Sequence, residues 1–366
     1  MKNTRYWVLI LMFLLFLLYP TIATLIGISP KRDKVAPSKE KFPTLENNNI
    51  FKFFSDFDTY YSTKFNGRSM YYSAISGFKY NVFRTSAKRE SVLVGKDDFL
   101  FLGNNASNII DETLGLDLFS DKEIKKIQKR ISRNRNWMNK NNIQFYMMVA
   151  PNKHTIYSEK LPFRVDTDQR TKIDQIADMV NDTKNVTWIE LEENLMRAKK
   201  RGLLYHKTDT HWNTFGAYFA YRKIMNVLNE DFPGEFKPVP LKNMKRHKHE
   251  RTMLGLARML DYPIHETTNE VKIKNMRSKK QTPKLNMKDK KNAKTELRFK
   301  APKKKRKAVI IRDSFSSALV GFLKEHFEEV VFIWKPRLNK DIILKEKPDI
   351  VIYEIVERNV DNILDM

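Results

Sequence analysis

The chain has 366 residues, 41% of them apolar and 24 of them Phe, enough to fill the core of one large domain with additions. It has no cysteine, which excludes a disulfide framework and any thiolate-ligated metal site. Its net charge of +25 is concentrated, since residues 271–307 hold 17 Lys or Arg against only Asp289 and Glu296.

Residues 6–28 form an uncharged run of 23 residues, long enough to cross a bilayer as a helix. Lys2 and Arg5 precede it, and basic residues on a short amino-terminal flank hold that end in the cytoplasm. Residues 1–28 are therefore predicted to be a cytoplasmic tip and a transmembrane signal anchor, with everything after them at the outer side of a cell membrane. The run is longer than the apolar region of a cleaved signal peptide, and no clear small-x-small cleavage pattern follows it. Residues 29–49, rich in Lys, Pro and Asn, read as a stalk, and 50–366 as the main domain. Within it, Phe51, Phe53, Phe54, Phe57, Tyr60, Tyr61 and Phe65 recur at mixed helical spacings and suit one or two packing helices.

Beyond residue 87 two patterns alternate. Apolar, β-rich runs at 143–150, 186–191, 308–311, 329–334 and 349–356 predict strands. Amphipathic stretches at 121–141, 168–183, 214–229, 317–326 and 340–347 predict helices, several opened by an Asp, Ser or Asn cap. Such alternation predicts an α/β fold, a parallel sheet with helices on both faces. Sites in these sheets lie beyond the carboxyl ends of the strands. Residues 271–307 read as a Lys-rich insertion, and the PKKKRK run at 302–307 has the form of a nuclear localisation signal. Outside a membrane, however, basic surface meets anionic head groups or an acidic envelope polymer, so no nucleic-acid partner is predicted.

Two segments could carry chemistry. Strand 308–311 runs directly into Arg312-Asp313-Ser314-Phe315-Ser316, where a helix is predicted to begin. A serine at a strand-to-helix turn is held out at the sheet edge beside the first N–H groups of the helix, which suits a nucleophile with an oxyanion site. The same position also suits a plain helix cap. A serine nucleophile needs a base and an orienting acid. Tyr205 to Asn213, YHKTDTHWN, supplies Asp209 and His211 two residues apart, able to point to one side of an extended loop. His206 is the rival base. His206, Asp209 and His211 also resemble a metal-ligand cluster, but a closed zinc site needs a further ligand that the sequence does not identify, and no metal or cofactor is predicted.

These motifs together resemble the alginate O-acetylation proteins of the SGNH-hydrolase-like class, the AlgX and AlgJ type, and the related DHHW proteins. The resemblance runs from about Val94 to the carboxyl terminus, omitting the Lys-rich insertion. It is carried by 94–102, by the Pro-x-Lys loop 151–157 with Leu161-Pro162, by 208–213 with Gly216, by Arg312 to Phe315, and by Glu357-Arg358 after the final strand. It implies an SGNH-hydrolase-like domain over 50–366 in which Ser314 attacks an acyl ester, His211 takes its proton and Asp209 orients His211. It also implies transfer of acetyl groups to hydroxyls of an extracytoplasmic polysaccharide, with a membrane-bound acyltransferase as acetyl donor. The Asp and His preceding the Ser in the chain match this type, whereas ordinary SGNH hydrolases begin with the serine block. The Gly and Asn blocks that give those hydrolases their oxyanion donors have no clear counterpart here. The backbone N–H of Ser314 and the Asn152-Lys153 loop are left for that role, and Asn152, Lys153, Arg312 and Trp212 are the candidates for oxyanion or substrate binding. Lys153 and Arg312 could bind an anionic sugar or form ion pairs, and the sequence leaves both open. An acetyl esterase with the same triad and a non-catalytic polysaccharide-binding component of a synthesis complex are the alternatives.

Overall fold

The computed structural model describes residues 2–25, 43–45, 49–64, 68–166, 168–181, 186–284, 296–335 and 337–366. It divides the chain into a unit over Met1–Ala87 and another over Lys88–Met366. The first unit holds three helices, α1 (Lys2–Leu25), α2 (Ile50–Lys64) and α3 (Arg68–Phe83). The hydroxyl of Tyr71 on α3 donates to the Phe16 carbonyl at 3.0 Å, and the two rings meet edge to face.

The expected transmembrane anchor is not supported, because among the described residues no helix is long and apolar enough to cross a membrane. Residues 26–28, and the stalk expected over 29–49 apart from 43–45 and Asn49, lie outside the described residues.

In the second unit, β1 (Val92–Val94) and β2 (Leu100–Leu102) pair antiparallel and are followed by α4 (Ile109–Thr113). Helix α5 (Asp121–Lys140) is opened by a capping box, in which Ser120 Oγ accepts from Glu123 N–H and the Glu123 carboxylate accepts from Ser120 N–H. It leads to β3 (Gln144–Ala150), α6 (Lys153–Ile156), α7 (Lys172–Asn181), β4 (Thr187–Trp188), α8 (Glu192–Ala198) and α9 (Thr214–Asp231). Next come β5 (Met244–Thr252), α10 (Gly255–Leu260), β6 (His265–Ile273), β7 (Lys279–Gln281) and β8 (Glu296–Lys300). The chain closes with β9 (Lys307–Arg312), α11 (Ser316–Leu323), β10 (Glu329–Trp334), α12 (Lys340–Glu346), β11 (Ile350–Val356) and a 3-10 segment over Glu357–Asp365.

The main sheet has the order β4-β3-β11-β9-β10-β8-β7. The first five strands are parallel, but β8 is antiparallel to β10 and β7 to β8, so the sheet is mixed where a parallel one was expected. The connection explains the difference. A parallel pair needs a long crossover, yet only residues 301–306 separate β8 from β9, so the chain reverses and β8 opposes the strands beyond it. The central strands are apolar on both faces because both are covered. Ala308, Ile310, Ile352 and Phe332 pack in one core with Phe215, Tyr218, Leu319 and Phe322. Val309, Ile311, Val351 and Val331 pack in the other with Ile127, Ile131, Ile176 and Ile343.

The Lys-rich segment expected as an insertion supplies the end of β6, all of β7 and β8, and the start of β9, while residues 285–295 lie outside the described ones. Several of its cations are matched by carboxylates. Arg298 is buried among Glu296, Glu329 and Glu346, Arg306 forks onto Glu235 at 3.0 and 3.2 Å, and Lys307 reaches Glu346 at 2.9 Å. The hairpin of β5 and β6, unexpected from sequence, packs on α9 and α11 and carries α10 in its connection.

Candidate active site

The loop between α8 and α9 is closed on itself by a single antiparallel bridge between Tyr205 and Trp212, with His206 N–H donating to His211 O at 3.1 Å. Its carbonyls turn inward onto one ammonium. Lys153, at the start of α6, donates to the carbonyls of His206 and Lys207 at 3.0 Å and of Asp209 at 2.5 Å. Three acceptors match the three donors of the ammonium. Burial pushes Lys153 down to about 7, partly offset by Asp209 and Glu266. The loop ends at Asn213, whose side-chain oxygen accepts from Phe215 and Gly216 N–H at 2.9 Å and so caps α9. Gly216 is required there, since a Cβ would lie 2.2 Å from the Leu204 carbonyl oxygen.

The second half of the site is the turn after β9. Asp313 staples it: Oδ1 accepts from Phe315 N–H at 2.8 Å and Oδ2 from Val356 N–H at 2.7 Å, at the end of β11. Below it Glu354 accepts from Asp313 N–H and Ser316 Oγ, and burial next to Asp313 holds its carboxyl far above the usual range. Ser314 is thereby presented at the carboxyl edge of the sheet, and its own N–H has no hydrogen-bond partner among the described residues.

The two halves meet at His211. Nδ1–H donates to Asp209 Oδ1 at 2.6 Å, which fixes the tautomer and leaves Nε2 to accept the Ser314 hydroxyl at 2.8 Å. Asp209 Oδ1 also accepts from His211 N–H at 3.1 Å, and Oδ2 accepts from Gly255 N–H at 2.8 Å. A Cβ on Gly255 would lie 2.7 Å from Oδ2, so a glycine is needed for this approach. Burial opposes ionisation of Asp209, but the bonds from His211 and Gly255 outweigh it and hold the carboxyl well below the usual carboxylate range.

The structure brings together Ser314, His211 and Asp209, and separates the other candidates from them. His206 turns away: Nδ1 pairs with Glu266 Oε1 at 2.8 Å, and Glu266 Oε2 accepts from Thr208 N–H and Oγ1. This sets it apart as a rival base and disperses the His206, Asp209, His211 ligand set. Lys153 is spent on the loop carbonyls. Arg312 is buried, lies over the Trp334 ring at 4.5 Å and donates to Asp313 O and Ser317 Oγ. Neither forms, among the described residues, the ion pair that the sequence left open. Trp212 is buried, and its Nε1–H donates to Phe315 O at 2.9 Å, tying the loop to the serine turn. Asn152 is buried with Nδ2 unpartnered among the described residues. Its Oδ1 accepts from Arg358 Nη1 at 3.3 Å, its N–H donates to Glu357, and Arg358 lies over the Phe315 ring at 5.3 Å. Gly255 and Glu266 carried no signal in the sequence, because both act through the β5–β6 hairpin.

The Ser314 hydroxyl is thus relayed through His211 to Asp209 at the carboxyl edge of a helix-covered sheet. Residues 92–355, well over half of the chain, match the family model described as ALGX, SGNH hydrolase-like domain, acetyltransferase AlgX. The chain belongs to that family. Among solved structures, Bacillus cereus PatB1 is similar with a TM-score of 0.55 at 17% identity, over 74% of this chain and 96% of that one. The O-acetyltransferase domain of Pseudomonas putida AlgJ has a TM-score of 0.47 at 16% identity over 74% and 92% of the two chains, and Pseudomonas aeruginosa AlgX 0.39 at 14% over 79% and 65%. At such identities the likeness to PatB1 shows the fold alone. No curated protein matches the chain in sequence.

Proposed function

We propose that the chain is an O-acetyltransferase that moves acetyl groups onto hydroxyls of an extracytoplasmic polysaccharide through an acyl-enzyme on Ser314. The observation that carries this reading is the relay of 2.8 and 2.6 Å from Ser314 through His211 to Asp209, in a chain of an acetyltransferase family. Ser314 Oγ attacks the acetyl carbonyl of the donor as His211 Nε2 takes its proton, and Asp209 stabilises the imidazolium. The free N–H of Ser314 and Nδ2 of Asn152 are the donors for the oxyanion. The imidazolium returns the proton to the departing donor group, leaving acetyl on Oγ. An acceptor hydroxyl then loses its proton to Nε2, attacks the ester and restores Ser314. Acetyl-coenzyme A is cytoplasmic, so an enzyme acting outside draws its acetyl group from a membrane-bound acyltransferase.

An acetyl esterase is the second reading, favoured by the exposure of His211, whose side chain is 35% accessible and so open to water as an acceptor. Turnover of a chromogenic acetate ester by wild type and Ser314→Ala, with and without oligosaccharides, separates the two. The proposal expects a loss of roughly a thousandfold or more in the variant and acetylated sugar from the wild type. Acetate release alone would favour the esterase. Equal inactivity of both proteins would sink the triad and favour a non-catalytic polysaccharide-binding role.

A further inference from the structure

Midway along the β5–β6 hairpin a second group of side chains converges. Strand period puts His247 and His249 on one face of β5. The register sets Glu270 of β6 directly opposite His247, and His249 opposite Thr268, one diagonal step from Glu270. His247 Nε2 lies 3.3 Å from Glu270 Oε2, and His249 Nδ1 lies 3.6 Å from Glu270 Oε1. One ligating atom from each residue lies within 4.8 Å of the other two, and the imidazole centroids are 6.3 Å apart.

We propose that His247, His249 and Glu270 bind a divalent transition-metal ion of the zinc class, which clamps the two strands of the hairpin. Two imidazoles and a carboxylate are the donor set of a three-ligand zinc site with a fourth position open to water. Tetrahedral bonds of about 2 Å set neighbouring ligand atoms about 3.3 Å apart, the separation already present between His247 and Glu270. Each ring nitrogen that faces a carboxylate oxygen needs a proton or a cation between them, and one metal ion satisfies both contacts. Two cations compete. Arg251 donates to Glu270 Oε1 at 2.5 Å, and Lys272 lies 3.7 Å from Oε2. Arg251 can remain as the outer hydrogen bond to the carboxylate, the kind of support that ligating carboxylates have. Lys272, more than half exposed, can return its ammonium to water on its flexible stem.

The clamp lies on the hairpin that supports the catalytic loop. Its connection bears Gly255, which donates to Asp209, and Glu266, four residues before Glu270 on the same face of β6, holds His206 and Thr208. Fixing the strands at the metal fixes both supports.

The test is calorimetric titration of the chelator-stripped full chain with zinc, for wild type, Ser314→Ala, His247→Ala, His249→Ala and the double histidine variant. It reads metal binding alone and stands apart from the acetyl-transfer reading. One zinc per chain is expected for wild type and Ser314→Ala, with affinity weakened by at least roughly tenfold in each single histidine variant and lost in the double. Cobalt in place of zinc should give the visible bands of a tetrahedral site. Should the double variant not fold, His249→Gln, which keeps much of the volume and removes the ring nitrogen, decides. No binding by wild type, or binding unchanged in the histidine variants, would overturn the proposal.

Discussion

Asp209 divides its work between two oxygens, orienting His211 with one and resting on the Gly255 amide with the other. A carboxyl held below its unfolded value of about 3.9 contributes stability that is fully present above that pH and fades as the pH falls through the folded value. Asp209→Asn should therefore unfold more easily than wild type at pH 7, and the gap should narrow from about pH 4 downward, as read by urea titrations across pH. Ester turnover should fall by roughly four orders of magnitude, as it does when the orienting acid of a serine-protease triad is removed. Parallel stability curves would show that the carboxyl is not held down. The meeting of Ser314, His211 and Asp209 was legible because residue types able to act as nucleophile, base and acid flank strongly patterned elements. Spacing alone did not separate His211 from His206, since both lie within three residues of Asp209, and the choice of His211 rested on the family resemblance. The two are separated by Glu266, on a strand whose residues show no apolar alternation. The burial of Lys153 was hidden for a different reason: its acceptors are backbone carbonyls, which no sequence pattern encodes.

Helix α9 begins where the loop bearing Asp209 and His211 ends, and Asn213 is the joint. Its side chain caps Phe215 and Gly216 within buried structure and donates to the half-buried Leu203 O at 2.7 Å. Asn213→Ala should cost about 1–2 kcal/mol of stability and lower turnover, because His211 lies two residues before the cap. Urea unfolding monitored by circular dichroism checks the first part, and an unchanged midpoint would remove the cap from this account. The expected strands 143–150, 308–311, 329–334 and 349–356 match β3, β9, β10 and β11 to within a residue or so, as sustained apolar runs should. The run at 186–191 shrinks to the two residues of β4. Strand β5, MKRHKHERT, escaped because its residues are nearly all exposed and its paired face is built from His, Arg and Glu instead of apolar side chains. Strand β7, Lys279-Lys280-Gln281, holds no apolar residue, and β8 sets only Leu297 and Phe299 among Glu296, Arg298 and Lys300.

Both large core clusters draw all their residues from Phe99 onward, so the second unit contains the buried apolar surface that folding requires. A fragment over Lys88–Met366 should unfold in one cooperative transition and keep the serine-dependent turnover of the full chain to within roughly twofold. A fragment that is molten or inactive would make the helices of the first unit part of the folding unit. Composition could announce a large α/β domain but not the mixed direction of its sheet, which depends on how few residues link β8 to β9. The ends of that sheet have a further consequence. A row of unpaired backbone groups at a sheet margin is a template for a strand from another molecule. One margin here is β4, only two residues long, and the other is β7, whose Lys279 and Lys280 stand exposed. The lysine-rich stretch thus ends the sheet in a short, charged strand that repels its own copies, protecting the chain against edge-to-edge aggregation.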